Sequence, residues 1–188
     1  MSTTPAKPKL ATVWLDGCSG CHMSLLDLDE RLLILAEKVE VVYSPVVDPK
    51  EFPEGVDITL IEGAVSSEED RHKAQLIRAR SRLVVSLGDC AVTANVPGMR
   101  NYFEKDELFQ RAYVENADAP AAGAARRARL PVLGVPALCP RATPVHEVIP
   151  VDLFVPGCPP SAEVIWLVLT ELLAGRMPQV AELTRFGA

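Results

Sequence analysis

Three short apolar runs in this sequence each end in a glycine-bearing turn that also carries cysteine. Residues 11–15 lead into Asp16-Gly17-Cys18-Ser19-Gly20-Cys21-His22, residues 83–87 into Gly88-Asp89-Cys90, and residues 153–155 into Gly157-Cys158-Pro159-Pro160. Short apolar runs that alternate with helically periodic stretches read as buried parallel strands joined by crossover helices. In a doubly wound parallel sheet every strand's carboxyl end points to one edge, and ligands bind there, at the crevice where strand order reverses. The fold and the cysteines are therefore tied together. If these runs are parallel strands, Cys18, Cys21, Cys90 and Cys158 meet at one crevice.

Composition agrees with that class. Hydrophobic residues make up 48% of the chain and aromatics only 5%, so the core is built of Val, Leu, Ile and Ala, as suits an α/β protein. At 188 residues the chain has the length of one domain, and a single domain over 1–188 is expected. A net charge of -6 with no long Lys/Arg run leaves little to hold a phosphate backbone, so nucleic acid is not an expected partner. Residues 1–9 are polar, with no apolar signal core and no twin arginine, and no later run is long enough to span a bilayer. A cytoplasmic protein is expected. Five cysteines in that compartment point to metal binding or redox chemistry rather than disulfides.

Along the chain, Leu25, Leu26, Leu28, Leu32, Leu33 and Leu35 predict one helix, with Asp27, Asp29 and Glu30 near its start. Residues 39–43 and 58–61 predict the second and third strands, the latter ending at Glu62-Gly63. Ser66-Ser67-Glu68-Glu69 supplies a capping box for a helix reaching about Arg80. After the strand at 83–87 the pattern degrades into an irregular insertion near 91–131, with a turn at Pro97-Gly98, a short helix at 108–114 and an Ala-rich, mobile surface loop at 117–128. Arg126, Arg127 and Arg129 fall near that loop and read as a solvated group rather than a dock for an acidic partner. Ser161 caps a final helix over 164–173, closed by Gly175.

Taken alone, Cys18-x-x-Cys21 fits a redox dithiol, half of a zinc site or half of a cluster. Structural zinc usually takes two tight Cys-x-x-Cys pairs, and here Cys90 and Cys158 are far apart in sequence. That spacing favours an iron-sulfur cluster over zinc. Cys139, in Ala137-Leu138-Cys139-Pro140, is the spare thiol and is expected to be buried and inert. His22 could donate a hydrogen bond to a cluster, pass a proton or merely orient the turn. Glu62 could serve as a pathway acid or hold backbone amides. Asp89 reads as a cap or turn residue, and Trp166 as core or subunit interface.

The Cys18-x-x-Cys21 turn, Glu62-Gly63, Gly88-Asp89-Cys90 and the stretch from Val151-Asp152 to Pro159-Pro160 resemble the small subunit of nickel-iron hydrogenases and the related cluster-bearing subunit of respiratory complex I. The resemblance runs from residue 11 to about 176. It implies a flavodoxin-like doubly wound sheet and one 4Fe-4S cluster held by Cys18, Cys21, Cys90 and Cys158, next to a larger partner with the nickel-iron centre. Complex I subunits typically have two adjacent cysteines at the first position, whereas Cys18-Ser19-Gly20-Cys21 is the hydrogenase pattern. The twin-arginine leader and the cluster-bearing C-terminal extension of periplasmic small subunits are not seen, and the run over 18–27 is most similar to cytoplasmic NAD-reducing, or bidirectional, hydrogenases. Many other hydrogenases carry a glutamate soon after the second cysteine, where His22, Met23 and Ser24 stand here.

The resemblance thus implies a subunit that is not catalytic alone, passing electrons from the large subunit through its cluster toward a diaphorase module with iron-sulfur and flavin subunits. Alternatives are another cytoplasmic hydrogenase branch, a complex I-like quinone-linked subunit, an FMN-binding flavodoxin-like module and a zinc-bound interaction scaffold. No phosphate-cradling loop of Ser/Thr and Gly follows the first strand, where the cysteines stand instead, and FMN on this chain stays open.

Overall fold

Leu10, Thr12 and Trp14 stand opposite Ile58, Leu60 and Glu62 in parallel register, so the first apolar run pairs with the predicted strand at 58–61. In the computed structural model, which describes residues 6–116, 130 and 133–187, the elements follow one another as β1 (Lys9–Trp14), α1 (Gly20–Leu26), α2 (Arg31–Lys38), β2 (Glu40–Tyr43), β3 (Val56–Glu62), β4 (Val65–Ser67), α3 (Glu68–Arg80), β5 (Ser81–Leu87), α4 (Asp89–Thr93), α5 (Asn95–Gly98), α6 (Lys105–Gln110), β6 (Leu138–Thr143), β7 (Leu153–Val155) and α7 (Ala162–Leu173). The central sheet has the order β2-β1-β3-β5-β7. All its pairings are parallel. This is the flavodoxin-like order, with its switch point between β1 and β3.

Side chains alternate across the sheet and so feed two cores. Leu10, Ile58, Leu60, Val85 and Leu87 face one way and pack with Leu35 of α2 and Ile165, Val168, Leu169 and Leu172 of α7. Ala11, Val13, Ile61 and Val84 face the other way, against Ala74 and Ile77 of α3 and Ala91 of α4. Each fully buried Leu or Ile contributes about 1.5–3 kcal/mol of apolar burial, so both faces help hold the carboxyl edge in shape.

The single helix expected over 25–35 is instead two, α1 and α2, separated by a turn in which Asp29 adopts φ 50°. Aspartates bond locally to the backbone in turns, and the bend lets Leu28 join the first core. The capping box lies one residue later than Ser66-Glu69: Ser67 Oγ accepts the Asp70 N–H at 3.1 Å and Asp70 Oδ2 accepts the Ser67 N–H at 2.9 Å. Residues 65–67 are taken up by β4, which delays the helix.

The described stretch over 91–116 is mostly helical rather than irregular. It contains α4, α5, a 3-10 turn at Met99–Tyr102, α6 and a π turn at Arg111–Glu115. Pro97-Gly98 sits inside α5 rather than in a turn, at a position where a short helix leaves the first N–H groups unpaired anyway. The Ala-rich loop at 117–128 and Arg126, Arg127 and Arg129 lie outside the described residues. The antiparallel pair of β4 with β6 was not foreseen. Asn101 bonds Ala142 through both its amide atoms, at 2.7 and 2.8 Å, and pins the pair to the helical segment.

Candidate metal centre

Three strand ends deliver the four thiols. After β1 the chain turns through Ser19, at φ 64°, so that Cys18 precedes α1 and Cys21 lies in its first turn. After β5, Gly88 turns the chain at φ +82° into α4, which carries Cys90. After β7, Gly157 precedes Cys158. The loops touch one another. A Cβ on Gly88 would lie 2.2 Å from Cys21 Sγ, so only glycine leaves room for the loops after β1 and β5 to meet. Ser24 Oγ donates to Pro160 O at 2.6 Å, joining α1 to the fourth-cysteine loop, and Asn95 Nδ2 lies 3.5 Å from Cys158 Sγ.

The thiols are close enough to feel each other's charge. Burial pushes the Cys21 thiol well above the usual range, reinforced by the Glu62, Cys90, Cys18 and Cys158 charges. Burial also raises Cys90, opposed by a hydrogen bond from the Val96 backbone, with Cys158, Cys18 and Glu62 adding to the rise. Four sulfurs gathered at one edge are a donor set suited to a group of positive charge, which favours thiolate and offsets their mutual repulsion. Chemically these residues fit a cluster held by cysteine alone. Among the described residues, no group of three or more His, Cys, Asp or Glu side chains is placed to hold a single metal ion.

His22 does not stand free to ligate. Its backbone N–H donates to Glu62 Oε2 at 2.6 Å, and its Nδ1 lies 2.7 Å from the same oxygen. Its Nε2 is 3.0 Å from Thr12 Oγ1, whose hydroxyl donates to Ser44 Oγ at 2.8 Å. All four residues are buried, Glu62 at 2% exposure. Glu62 therefore holds a backbone amide of the first cysteine turn, the second of the two roles considered for it. Thr12 and Ser44 were missed by sequence reasoning. Their signals were slight: one polar residue interrupting an apolar strand, and a serine just past β2.

Asp89 accepts the Gly157 N–H at 2.7 Å and so joins the third-cysteine turn to the fourth. Cys139 lies in β6 at 2% exposure, its Sγ 3.4 Å from Arg71 Nη2 and 3.6 Å from Glu68 Oε1, among partners different from those of the other four thiols. Trp166 packs against the first core with the Arg31 guanidinium 5.6 Å over its ring.

A flavodoxin-like sheet with four thiols at its carboxyl edge defines an α/β protein whose ligand crevice is lined by cysteine rather than by a phosphate loop. The chain belongs to the NADH ubiquinone oxidoreductase 20 Kd subunit family, which matches residues 18–172. It is 42% identical to the delta subunit of the NAD-reducing hydrogenase HoxS of Cupriavidus necator, over 90% of this chain and 80% of that one. It is 38% identical to a vhu subunit of the F420-non-reducing hydrogenase of Methanocaldococcus jannaschii, over 92% of this chain but only 58% of that subunit. The chain thus spans less than two thirds of that relative's length. Among solved structures, an NAD+-reducing NiFe-hydrogenase in the H2-reduced state superposes with a TM-score of 0.87 at 39% identity, covering 96% of this chain and 99% of that one.

Proposed function

We propose that this chain is the electron-transfer small subunit of a cytoplasmic NAD-reducing nickel-iron hydrogenase, one iron-sulfur flavodoxin-like domain that holds a single 4Fe-4S cluster on Cys18, Cys21, Cys90 and Cys158. Its partners are a large subunit with the nickel-iron centre and a diaphorase module with iron-sulfur and flavin subunits. The observation that carries this reading is the convergence of four mutually interacting thiols from three strand ends on one edge. The likeness to the HoxS delta subunit and to the NAD+-reducing enzyme supports the choice of branch. Among the described residues no helix is long and apolar enough to cross a membrane.

A bound cluster supplies single-electron transfer. The chain's own residues do the rest. Both cores fix the strand ends, Glu62 holds the first turn through His22, and Ser24 anchors α1 to the fourth-cysteine loop. Cys21 is partly buried, and that burial with the neighbouring charges would tune a cluster held there. One cluster takes four of the five cysteines in these 188 residues, and we place the next centre of the electron path in the partner subunits.

A second reading, a hydrogenase branch serving another carrier, is favoured by the 38% identity to the F420-non-reducing enzyme's subunit. Removing the diaphorase subunits separates the two. The first reading expects hydrogen-dependent NAD reduction to vanish while hydrogen-dependent reduction of an artificial dye persists. NAD reduction by the two-subunit core would contradict it.

A further inference from the structure

Asp89 and Gly157 are the residues directly before Cys90 and Cys158, and they clasp each other in both directions. The Asp89 N–H donates to Gly157 O at 2.8 Å, and the Gly157 N–H donates back to Asp89 Oδ1 at 2.7 Å. The clasp continues the ladder in which Leu87 stands opposite Val155 and the Gly88 N–H donates to Val155 O at 2.8 Å. Beyond that point the chain after β5 turns away into α4, and the buried Gly157 N–H takes the Asp89 side chain as its acceptor. A buried N–H with no acceptor would cost about 1–3 kcal/mol. Gly157 cannot be replaced to relieve this, since at φ +139° a Cβ would lie 2.6 Å from the Pro160 backbone.

The other carboxylate oxygen is occupied too. Asp89 Oδ2 accepts the Gly187 N–H at 2.8 Å. At 6% exposure Asp89 is buried, and it takes part in none of the salt bridges found among the described residues. Its oxygens therefore meet two backbone N–H groups and, among the described residues, no ion-pair partner.

We propose that Asp89 is a positioning residue that sets the separation of Cys90 from Cys158 and, through its unpaired carboxylate, lowers the reduction potential of the cluster those thiols hold. The proposal rests on the cluster reading above. A fixed negative charge beside a redox centre disfavours the added electron, and local charge and hydrogen bonding are among the terms that set cluster potentials. Asp89→Asn keeps one carbonyl oxygen for Gly157 and removes the charge. Asp89→Ala removes both.

The test uses the tagged full chain purified with its bound partners, comparing iron and acid-labile sulfide content, circular dichroism and an EPR-monitored redox titration. Asp89→Asn should keep its cluster content while its reduction equilibrium shifts about tenfold toward the reduced form, a rise of about 59 mV for one electron. Asp89→Ala should retain wild-type dichroism but lose cluster iron and alter the EPR g-values of whatever cluster remains. An unchanged potential in Asp89→Asn would overturn the tuning role, and full iron with unchanged g-values in Asp89→Ala would overturn the positioning role. A wild-type complex without iron and sulfide would overturn the cluster reading itself, and Asp89's role with it.

Discussion

One oxygen of Glu62 accepts the backbone N–H of His22 at 2.6 Å and lies 2.7 Å from its ring Nδ1. The residue after Cys21 is thereby fastened to the end of β3, so the first cysteine turn takes its place from the sheet rather than from its own sequence. Glu62→Ala leaves the His22 N–H without its acceptor, and the expected cost is about 1–3 kcal/mol. Glu62→Gln keeps an amide oxygen for the bond and should lose less. Hydrogen exchange at residues 22–25 in the purified complex reads the difference. Equal protection in wild type and Glu62→Ala would show that the turn does not depend on this contact.

Gly88 and Gly175 both have positive φ, 82° and 76°, but only Gly88 is crowded. A Cβ at Gly88 would sit 2.2 Å from Cys21 Sγ, whereas at Gly175 it meets nothing within 4 Å. Gly175→Ala should therefore cost only the backbone strain of a left-handed alanine, about 1–2 kcal/mol, with full metal content. Gly88→Ala carries the same strain and also forces the loops after β1 and β5 apart, so it should lose most of the bound iron. Equal iron content in the two variants would contradict the packing described for this edge.

Met23, at 56% exposure, and Trp14, at 45%, flank the first cysteine turn with apolar surface turned outward. In the proposed function this surface, beside the ligand edge, is the face that meets the large subunit. Met23→Glu should weaken partner recovery about tenfold, the effect of about 1.4 kcal/mol at an interface, without altering the chain's circular dichroism. Undiminished recovery of the large subunit on the tagged variant would place the interface elsewhere.

The sheet and the cysteine edge could be read from the sequence because both depend on short-range features: apolar runs of strand length, and glycine and cysteine directly after them. Helix ends were read less well. The leucines of 25–35 keep helical spacing even though the chain bends at Asp29, so the spacing carries no mark of the bend that brings Leu28 into the first core. The capping box moved from Ser66 to Ser67 because β4 forms only against β6, a partner over seventy residues away whose strand character, in Leu138-Cys139-Pro140-Arg141, does not stand out. The chain from Glu62 through His22 and Thr12 to Ser44 is long-range in the same sense: each residue looks ordinary until β3, α1, β1 and the loop after β2 meet. Asp89 was expected to cap or turn the backbone, and its reach to Gly157 could not be seen without the β5 and β7 pairing.

The central claim is that Cys18, Cys21, Cys90 and Cys158 hold one 4Fe-4S cluster and that Cys139 does not take part. Each cysteine should be changed to serine in turn, and the complex assayed for iron, acid-labile sulfide, zinc and FMN, with EPR of the reduced protein. Wild type and Cys139→Ser should carry about four iron and four sulfide per chain for this site and share one signal, while each of the other four variants loses or alters it. Zinc in place of iron, or loss of the signal in Cys139→Ser with its retention in Cys158→Ser, would contradict the account.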